Sequence, residues 1–143
     1  MIRKMTINDV ESVYGLEVEC FERPWSLQSI EKEVENNNSL FCVCEKDGNI
    51  VGYAGMYYVC GEGDITNVAI TKNYRGKGLG NELLTEMFRI ANENNIFEFT
   101  LEVRETNIIA RNLYEKLGFK VEGVRKNFYD NPVENGIIMW KRQ

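Results

Sequence analysis

The chain has 143 residues, 43% of them hydrophobic, which predicts one folded domain over residues 1–143 that buries roughly two thirds of its unfolded surface. Its net charge is −5 and its basic residues are scattered, which argues against a nucleic-acid partner. No stretch approaches the ~18 apolar residues of a membrane span, and the start lacks a signal peptide's apolar run, so we expect a cytoplasmic protein without membrane contact.

The first third of the chain predicts a short strand followed by two helices. Residues 2–5 are extended, and Thr6 with Asp9 forms a capping box that opens a helix. We predict that this first helix turns four side chains inward, namely Val10, Val13, Tyr14 and Val18. Ser26 suits the N-cap of the second helix, and Trp25 before it is expected to pack against Ile30.

A two-residue period then predicts three antiparallel strands. Residues 40–46 and 50–60 are joined by the hairpin signal at Asp47-Gly48-Asn49, and a turn over 61–63 precedes a strand over 64–70. Four cysteines occur without a Cys-x-x-Cys pair, and Cys42 and Cys44 alternate with larger apolar residues. We therefore expect them to be reduced core residues on one face of a strand.

Residues 67–84 pass from an apolar strand through a glycine-rich turn into a helix. Glycines 76, 78 and 80 allow backbone N–H groups to face outward, and the helix start adds unpaired donors and a positive dipole end. Arg75 and Lys77 add positive charge, so a phosphate group suits the turn. Asn81 breaks the dinucleotide glycine pattern, and Gly78 stands where a P-loop needs Ser or Thr.

The last third predicts a strand, a helix and two further extended segments. Asn94-Asn95 ends the helix after the glycine turn, and residues 96–104 alternate with four apolar side chains on one face, Phe97, Phe99, Leu101 and Val103. This strand is expected to pair in parallel with the strand before the glycine turn. Asn107 opens a helix with Ile109, Leu113 and Leu117 as its stripe and Gly118 at its end. Residues 119–129 and 137–140 are extended, with a loop over 130–136 between them, which completes an α/β fold with one sheet between helices.

Three segments resemble the GCN5-related N-acetyltransferases. Residues Arg75-Gly76-Lys77-Gly78-Leu79-Gly80 fit that family's Arg/Gln-x-x-Gly-x-Gly/Ala signature, and the segments 101–107 and 113–119 match in the same order. The resemblance implies a mostly antiparallel twisted sheet flanked by helices, and acetyl-CoA as the co-substrate. It also implies that two central strands splay apart around the acetyl thioester.

The resemblance assigns roles to individual residues. The coenzyme would be bound by Val68, Ala69, Ile70, Arg75, Gly76, Lys77, Gly78, Leu79, Gly80, Asn81 and Asn107. Glu102 matches the family's general base, and Tyr114 the tyrosine that protonates the departing thiolate. Without the family, Glu102 would suit a solvated strand face, Tyr114 would suit helix packing, and Asn107 would suit a helix cap.

Histidine is absent from the chain. This excludes Ser-His-Asp and Cys-His catalysis and His-based zinc sites, and we predict no metal. Proton transfer must then use carboxylate, tyrosine, lysine, cysteine or water, which agrees with the roles of Glu102 and Tyr114 that the resemblance implies.

Within the family the chain is most similar to ribosomal-protein-alanine N-acetyltransferases, on Phe21-x-x-Pro24-Trp25-Ser26, Asn67-x-Ala69, the 101–104 run, and residues 125–129 followed by 137–139. This implies that the acceptor is a protein N-terminal α-amine, with alanine on a ribosomal protein as the first candidate. Phe128 stands where the relatives often carry tyrosine, and Asn135-Gly136 replaces an acidic residue and an alanine. The alternatives are acetylation of a small amine or a lysine, and a non-catalytic acyl-CoA-binding module; the oligomeric state stays open.

Overall fold

A seven-stranded sheet with helices on both faces forms the protein, whose computed structural model describes residues 1–142. The strands are β1 (Ile2–Lys4), β2 (Ser39–Lys46), β3 (Asn49–Val59), β4 (Glu62–Ile70), β5 (Glu98–Arg104), β6 (Lys120–Tyr129) and β7 (Glu134–Lys141). The helices are α1 (Val10–Cys20), α2 (Leu27–Glu35), α3 (Leu79–Glu93) and α4 (Ile108–Lys116), with short 3₁₀ turns over Ile7–Asp9 and Lys72–Tyr74. Within residues 1–142, every helix falls short of the length or apolar character needed to cross a membrane.

The strand order is β1-β2-β3-β4-β5-β7-β6, and every neighbouring pair is antiparallel except β4 with β5. The predicted mixed, mostly antiparallel sheet between helices is therefore confirmed. The α3 connection from β4 to β5 is the crossover that a parallel pair requires.

The two faces of the sheet carry separate hydrophobic cores. Along β2, Cys42 and Cys44 are buried in the core beneath α3 and α4, while Phe41 and Val43 enter the core beneath α1 and α2. This alternation confirms that the two cysteines share one face of a strand, and both are free thiols.

The helical stripes differ in part from the prediction. On α1, Val10 and Val13 are buried as expected, but Tyr14 and Val18 are partly exposed. The stripe continues through Leu16 and Glu17 instead, because positions three and four residues apart share a helix face.

The predicted inward positions of two further apolar residues, Ile109 and Phe97, are wrong. Ile109 is 87% exposed, since the inner face of α4 begins one residue later, at Ala110, and continues to Leu113 and Tyr114. Phe97 precedes β5 and is partly exposed, and the neighbouring Ile96 is buried in its place.

The turns follow local backbone preferences. Asp47 and Gly48 have φ of 52° and 80°, which confirms the predicted hairpin between β2 and β3. The predicted turn over 61–63 is displaced, because Cys60 and Gly61 have the two positive φ values, and Gly63 lies within β4. A Cβ at Gly63 would lie 2.7 Å from Met56 Sδ, so the glycine is needed there for close packing. The loop after β6 is also shorter than predicted, since β7 begins at Glu134.

The strands β4 and β5 separate soon after they begin. Only residues 62–64 of β4 pair with residues 98–100 of β5, and their later residues have no pairing with each other. On its other edge β4 carries a bulge: Met56 lies opposite Ile65 and Gly55 opposite Asn67, which leaves Thr66 as the extra residue. The splayed strands open a gap in the middle of the sheet.

Candidate active site

A cavity of about 700 Å³ occupies the gap between the diverging halves of β4 and β5. Its walls are residues 65–68 of β4, residues 101–104 of β5, the linker after α1, the start of α4 and the loop after β6. Four of the predicted site residues line it, namely Val68, Glu102, Asn107 and Tyr114. The glycine turn and the end of β4 lie outside this lining.

The β4 wall presents backbone donors to the gap. Thr71 N–H donates to Val51 O at 2.9 Å across the β3–β4 pair. Because hydrogen bonds alternate along an antiparallel strand, the N–H groups of Val68 and Ile70 face away from β3, toward the gap, and that of Ala69 faces β3. The side chain of Ala69 is buried beneath α1 and α2. Val68 and Ile70 are therefore the donors that this strand offers to a ligand.

The glycine turn has the conformation that the sequence predicts for an anion site. Gly76 and Gly78 have φ of 74° and 82°, and Gly78 is the N-cap of α3. The backbone N–H groups of residues 76–81 have no acceptor within residues 1–142. Unpaired N–H groups at a helix start are a ready anion site, so the turn fits the pyrophosphate of a coenzyme.

The two cations of the turn lie in different surroundings. Arg75 Nε donates to Ile70 O at 2.8 Å, and its guanidinium lies 3.4 Å from Cys20 Sγ and 3.9 Å from Glu19. Arg75 thus holds the end of β4 to α1, and its side chain is turned to these partners instead of the turn's free N–H groups. Lys77 Nζ lies 5.4 Å from the centre of the Tyr74 ring. Lys77 is therefore the cation better placed to meet a phosphate.

Replacing Gly78 by Val should weaken coenzyme A binding about tenfold or more, because lost charge-assisted hydrogen bonds are worth about 1.5–3 kcal/mol. Gly48→Val is the matched control, since both glycines have φ near 80° and a Cβ at either meets no atom within 4 Å. Both variants place a β-branched residue at a positive φ, and only the first lies at the glycine-rich turn. Calorimetry with coenzyme A measures the difference, and equal affinity of the two variants would remove the turn from the site.

Glu102 has one oxygen that is bound and one that is not. Its Oε1 lies 3.4 Å from Arg125 Nε, whereas Oε2 is buried and has no hydrogen-bond partner within residues 1–142. On β5 the side chains of Phe99, Leu101 and Val103 enter the α3–α4 core, so Glu102 projects from the other face. The free oxygen makes the carboxylate available to accept a proton.

Tyr114 lies on α4, where its side chain is 9% exposed and its ring lies 5.8 Å from that of Phe119. Burial and the nearby Tyr129 raise the pKa of Tyr114 to about 12. The pKa of Tyr129 is also raised, first by burial and then by the charge of Glu102. The three side chains therefore share one electrostatic environment within the cavity.

Asn107 is the N-cap of α4, because its side chain accepts a hydrogen bond from Ala110 N–H at 3.2 Å. It also lines the cavity, so the structure is compatible with both roles considered from the sequence. A Cβ at Gly80 would lie 3.2 Å from Leu113 Cδ2, so the glycine lets the start of α3 approach α4. This contact connects the glycine turn to the helix that carries Tyr114.

Among the cavity side chains to which the sequence assigns no role are Glu17, Asn67 and Tyr129. Glu17 could have been found by its spacing, because it lies four residues after Val13 and seven after Val10 on an otherwise apolar stripe. Asn67 belongs to a motif of the family resemblance, but the strand pattern gives its side chain no role. Its burial depends on contacts with α1 that the strand pattern does not contain.

Comparison with known proteins gives consistent results. The sequence model described as Acetyltransferase (GNAT) family matches residues 10–119. A Bacillus subtilis protein provisionally named a ribosomal protein bS18-alanine N-acetyltransferase is 38% identical over 97% of this chain and 93% of its own length. A Haemophilus influenzae protein named a ribosomal protein bS18-alanine N-acetyltransferase is 33% identical over 97% of this chain and 96% of its own.

Among solved structures, the ribosomal-protein-S18-alanine N-acetyltransferase of Escherichia coli superposes with a TM-score of 0.90. It is 26% identical, and the match covers 100% of this chain and 94% of that one. The fold is therefore shared with that enzyme, and the two named relatives match this chain over 97% of its length.

Proposed function

Because the chain belongs to the acetyltransferase (GNAT) family, we propose that it transfers the acetyl group of acetyl-CoA to a protein N-terminal α-amine, first of all the N-terminal alanine of a ribosomal protein. The observation that carries this proposal is the composition of one cavity. Between splayed strands it joins the unpaired oxygen of Glu102, the phenol of Tyr114 and the free backbone of β4.

The residues that would hold acetyl-CoA fit its charged and its reacting parts. The free N–H groups of residues 76–81, with Lys77 beside them, would bind the pyrophosphate. The N–H groups of Val68 and Ile70 would donate hydrogen bonds to the thioester carbonyl in the gap and so polarise it. Acetyl-CoA supplies the acetyl group as an activated thioester, and no covalent link to the protein is needed for direct attack by the amine.

Two proton movements then fall to this chain's own side chains. Glu102 Oε2 would accept the proton of the acceptor ammonium, directly or through a water molecule. Tyr114 would donate its phenolic proton to the leaving sulfur, and its raised pKa keeps that proton in place at neutral pH. The second proton that the nitrogen loses as the amide forms would restore the phenol. The base and the acid are thus distinct groups in one cavity.

The acceptor follows from amine chemistry and from charge. A terminal α-amine with a pKa of about 8 is neutral in about one molecule in ten at pH 7, against about one in 2,500 for lysine, so a carboxylate base suits the former. Four carboxylates and two arginines line the cavity, which favours a cationic acceptor: Glu17, Glu22, Glu102 and Asp130 against Arg23 and Arg104. Basic ribosomal proteins in the cytoplasm meet this requirement.

Two peptides of equal length and net charge test the acceptor. One has a free N-terminal alanine, and the other has that amine blocked and its lysines free. Mass spectrometry after incubation with acetyl-CoA should show faster acetylation of the first peptide, at its α-amine. Faster modification of the blocked peptide would contradict the terminal-amine assignment while leaving the acetyltransferase activity in place.

A further inference from the structure

We propose that Glu17 is a positioning residue for the acceptor. Its buried carboxylate holds the linker after α1 against β4. The proposal rests on the acetyl transfer proposed above. It assigns a role to a titratable group that the transfer itself does not use.

Three separate segments donate hydrogen bonds to Glu17, whose side chain lies at the end of the α1 stripe. Trp25 N–H of the linker donates to Oε1 at 2.8 Å. Asn67 Nδ2 of β4 donates to Oε2 at 3.2 Å, and the hydroxyl of Tyr53 on β3 donates to the same oxygen. Glu17 therefore joins a helix, two strands and the linker at one point.

The partners of Glu17 are all neutral, although the residue is 1% exposed. A buried carboxylate without a cationic partner is costly, and an apolar residue would complete the stripe of Val10 and Val13 without that charge but would leave three donors unpaired. Packing alone therefore does not account for a carboxylate here. The capacity of a carboxylate to accept hydrogen bonds from three directions at once does account for it.

The position of Asn67 connects Glu17 to the reacting part of the cavity. Asn67 directly follows the bulge at Thr66 and directly precedes Val68, whose N–H faces the gap. Its side chain and that of Glu102 project on the same face of the sheet, from the two strands that splay apart. Holding Asn67 therefore fixes the strand segment that lies across the gap from the proposed base.

Trp25 connects Glu17 to the acceptor side. The linker from Cys20 to Trp25 forms one wall of the cavity, and the Trp25 ring stacks on Tyr57 at 6.3 Å and tilts against Phe41 at 5.9 Å. With its N–H bound to Glu17 and its ring packed, Trp25 cannot move away from β4 without losing both contacts. The distance between the linker wall and the thioester site is set in this way.

The test uses the full chain with Glu17→Gln, which keeps the shape and removes the charge and part of the accepting capacity. We expect kcat/KM for the N-terminal alanine peptide to fall roughly 10- to 100-fold, mostly through a higher KM, since a displacement near 1 Å costs about that much. The dissociation constant of coenzyme A should change less than about twofold. Tyr53→Phe removes one of the three donors to Glu17 and should also raise KM, by a smaller factor.

Asp9→Asn is the control for loss of a buried carboxylate. Asp9 is 5% exposed, binds Arg3 at 2.7 Å and does not line the cavity. This variant should melt at a lower temperature with KM and kcat unchanged. Parent-like KM in folded Glu17→Gln and Tyr53→Phe, or the same rise in KM in Asp9→Asn, would overturn the proposal.

A second measurement does not depend on the acceptor. In a Trp140→Phe background, Trp25 is the remaining tryptophan, and Glu17→Gln should make its fluorescence more accessible to acrylamide. Unchanged quenching would overturn the positioning role even if acetylation is observed. Increased quenching in a chain that acetylates neither peptide would contradict the proposed function and leave the link between Glu17 and the linker standing.

Discussion

The Tyr114→Phe variant should bind acetyl-CoA as tightly as the parent and turn over roughly 10²- to 10⁴-fold more slowly, the usual contribution of a positioned acid. Phenylalanine keeps the contact with Phe119 and the burial of the ring, so packing changes little. What is lost is the one phenolic proton, which leaves the departing thiolate without its donor.

The raised pKa of Tyr114 adds a pH criterion. An acid is active in its protonated form, so its contribution falls as the pH rises through its pKa, here about 12. Deprotonation of Tyr114 should therefore not lower the kcat/KM of the parent as the pH passes 10, the ordinary pKa of tyrosine.

Tyr58→Phe is the control for Tyr114→Phe, because Tyr58 donates to Asn37 O and does not line the active-site cavity. Equal rates of Tyr114→Phe and the parent would return Tyr114 to a packing role.

Glu102→Gln should also lower kcat by roughly 10²- to 10⁴-fold, because the amide has the carboxylate's shape but cannot take up the ammonium proton. The affinity for coenzyme A should persist, since Glu102 faces the gap and not the glycine turn.

Glu98→Gln is the matched control for Glu102→Gln. Both residues lie on β5, an even number of positions apart and hence on the same face, but Glu98 binds Arg142 at 3.0 Å and does not line the cavity. Rates measured on both variants separate loss of a strand carboxylate from loss of the base. If Glu102→Gln and Glu98→Gln behaved alike, Glu102 would be a residue of a solvated strand face.

Local signals in the sequence were sufficient to predict most of the helices, strands and turns. Asp47-Gly48, Asn95 and Gly118 all have positive φ, and Ser26 accepts from Ser29 N–H as an N-cap. These features depend on the conformational preference of one or two residues and on their nearest neighbours, so a sequence contains all that is needed to predict them. The glycine turn belongs to the same group, because its free N–H groups result from its own backbone.

The resemblance to the family also implied that Glu102, Tyr114 and Val68 would meet. They line one cavity because β4 and β5 are neighbours and α4 directly follows β5. Their roles as base, acid and carbonyl donor stay proposals that the experiments above address.

Only the tertiary structure decided how charged side chains are used. Glu17 meets Tyr53 and Asn67, which lie 36 and 50 residues away along the chain, and Arg75 turns back to Ile70 and Glu19. The tertiary structure also decided which way Tyr14 and Ile109 face. Each lies one residue, about 100° around the helix, from a position on the inner face. Periodicity and turn chemistry act over a few residues, whereas these contacts depend on which elements the sheet order brings together.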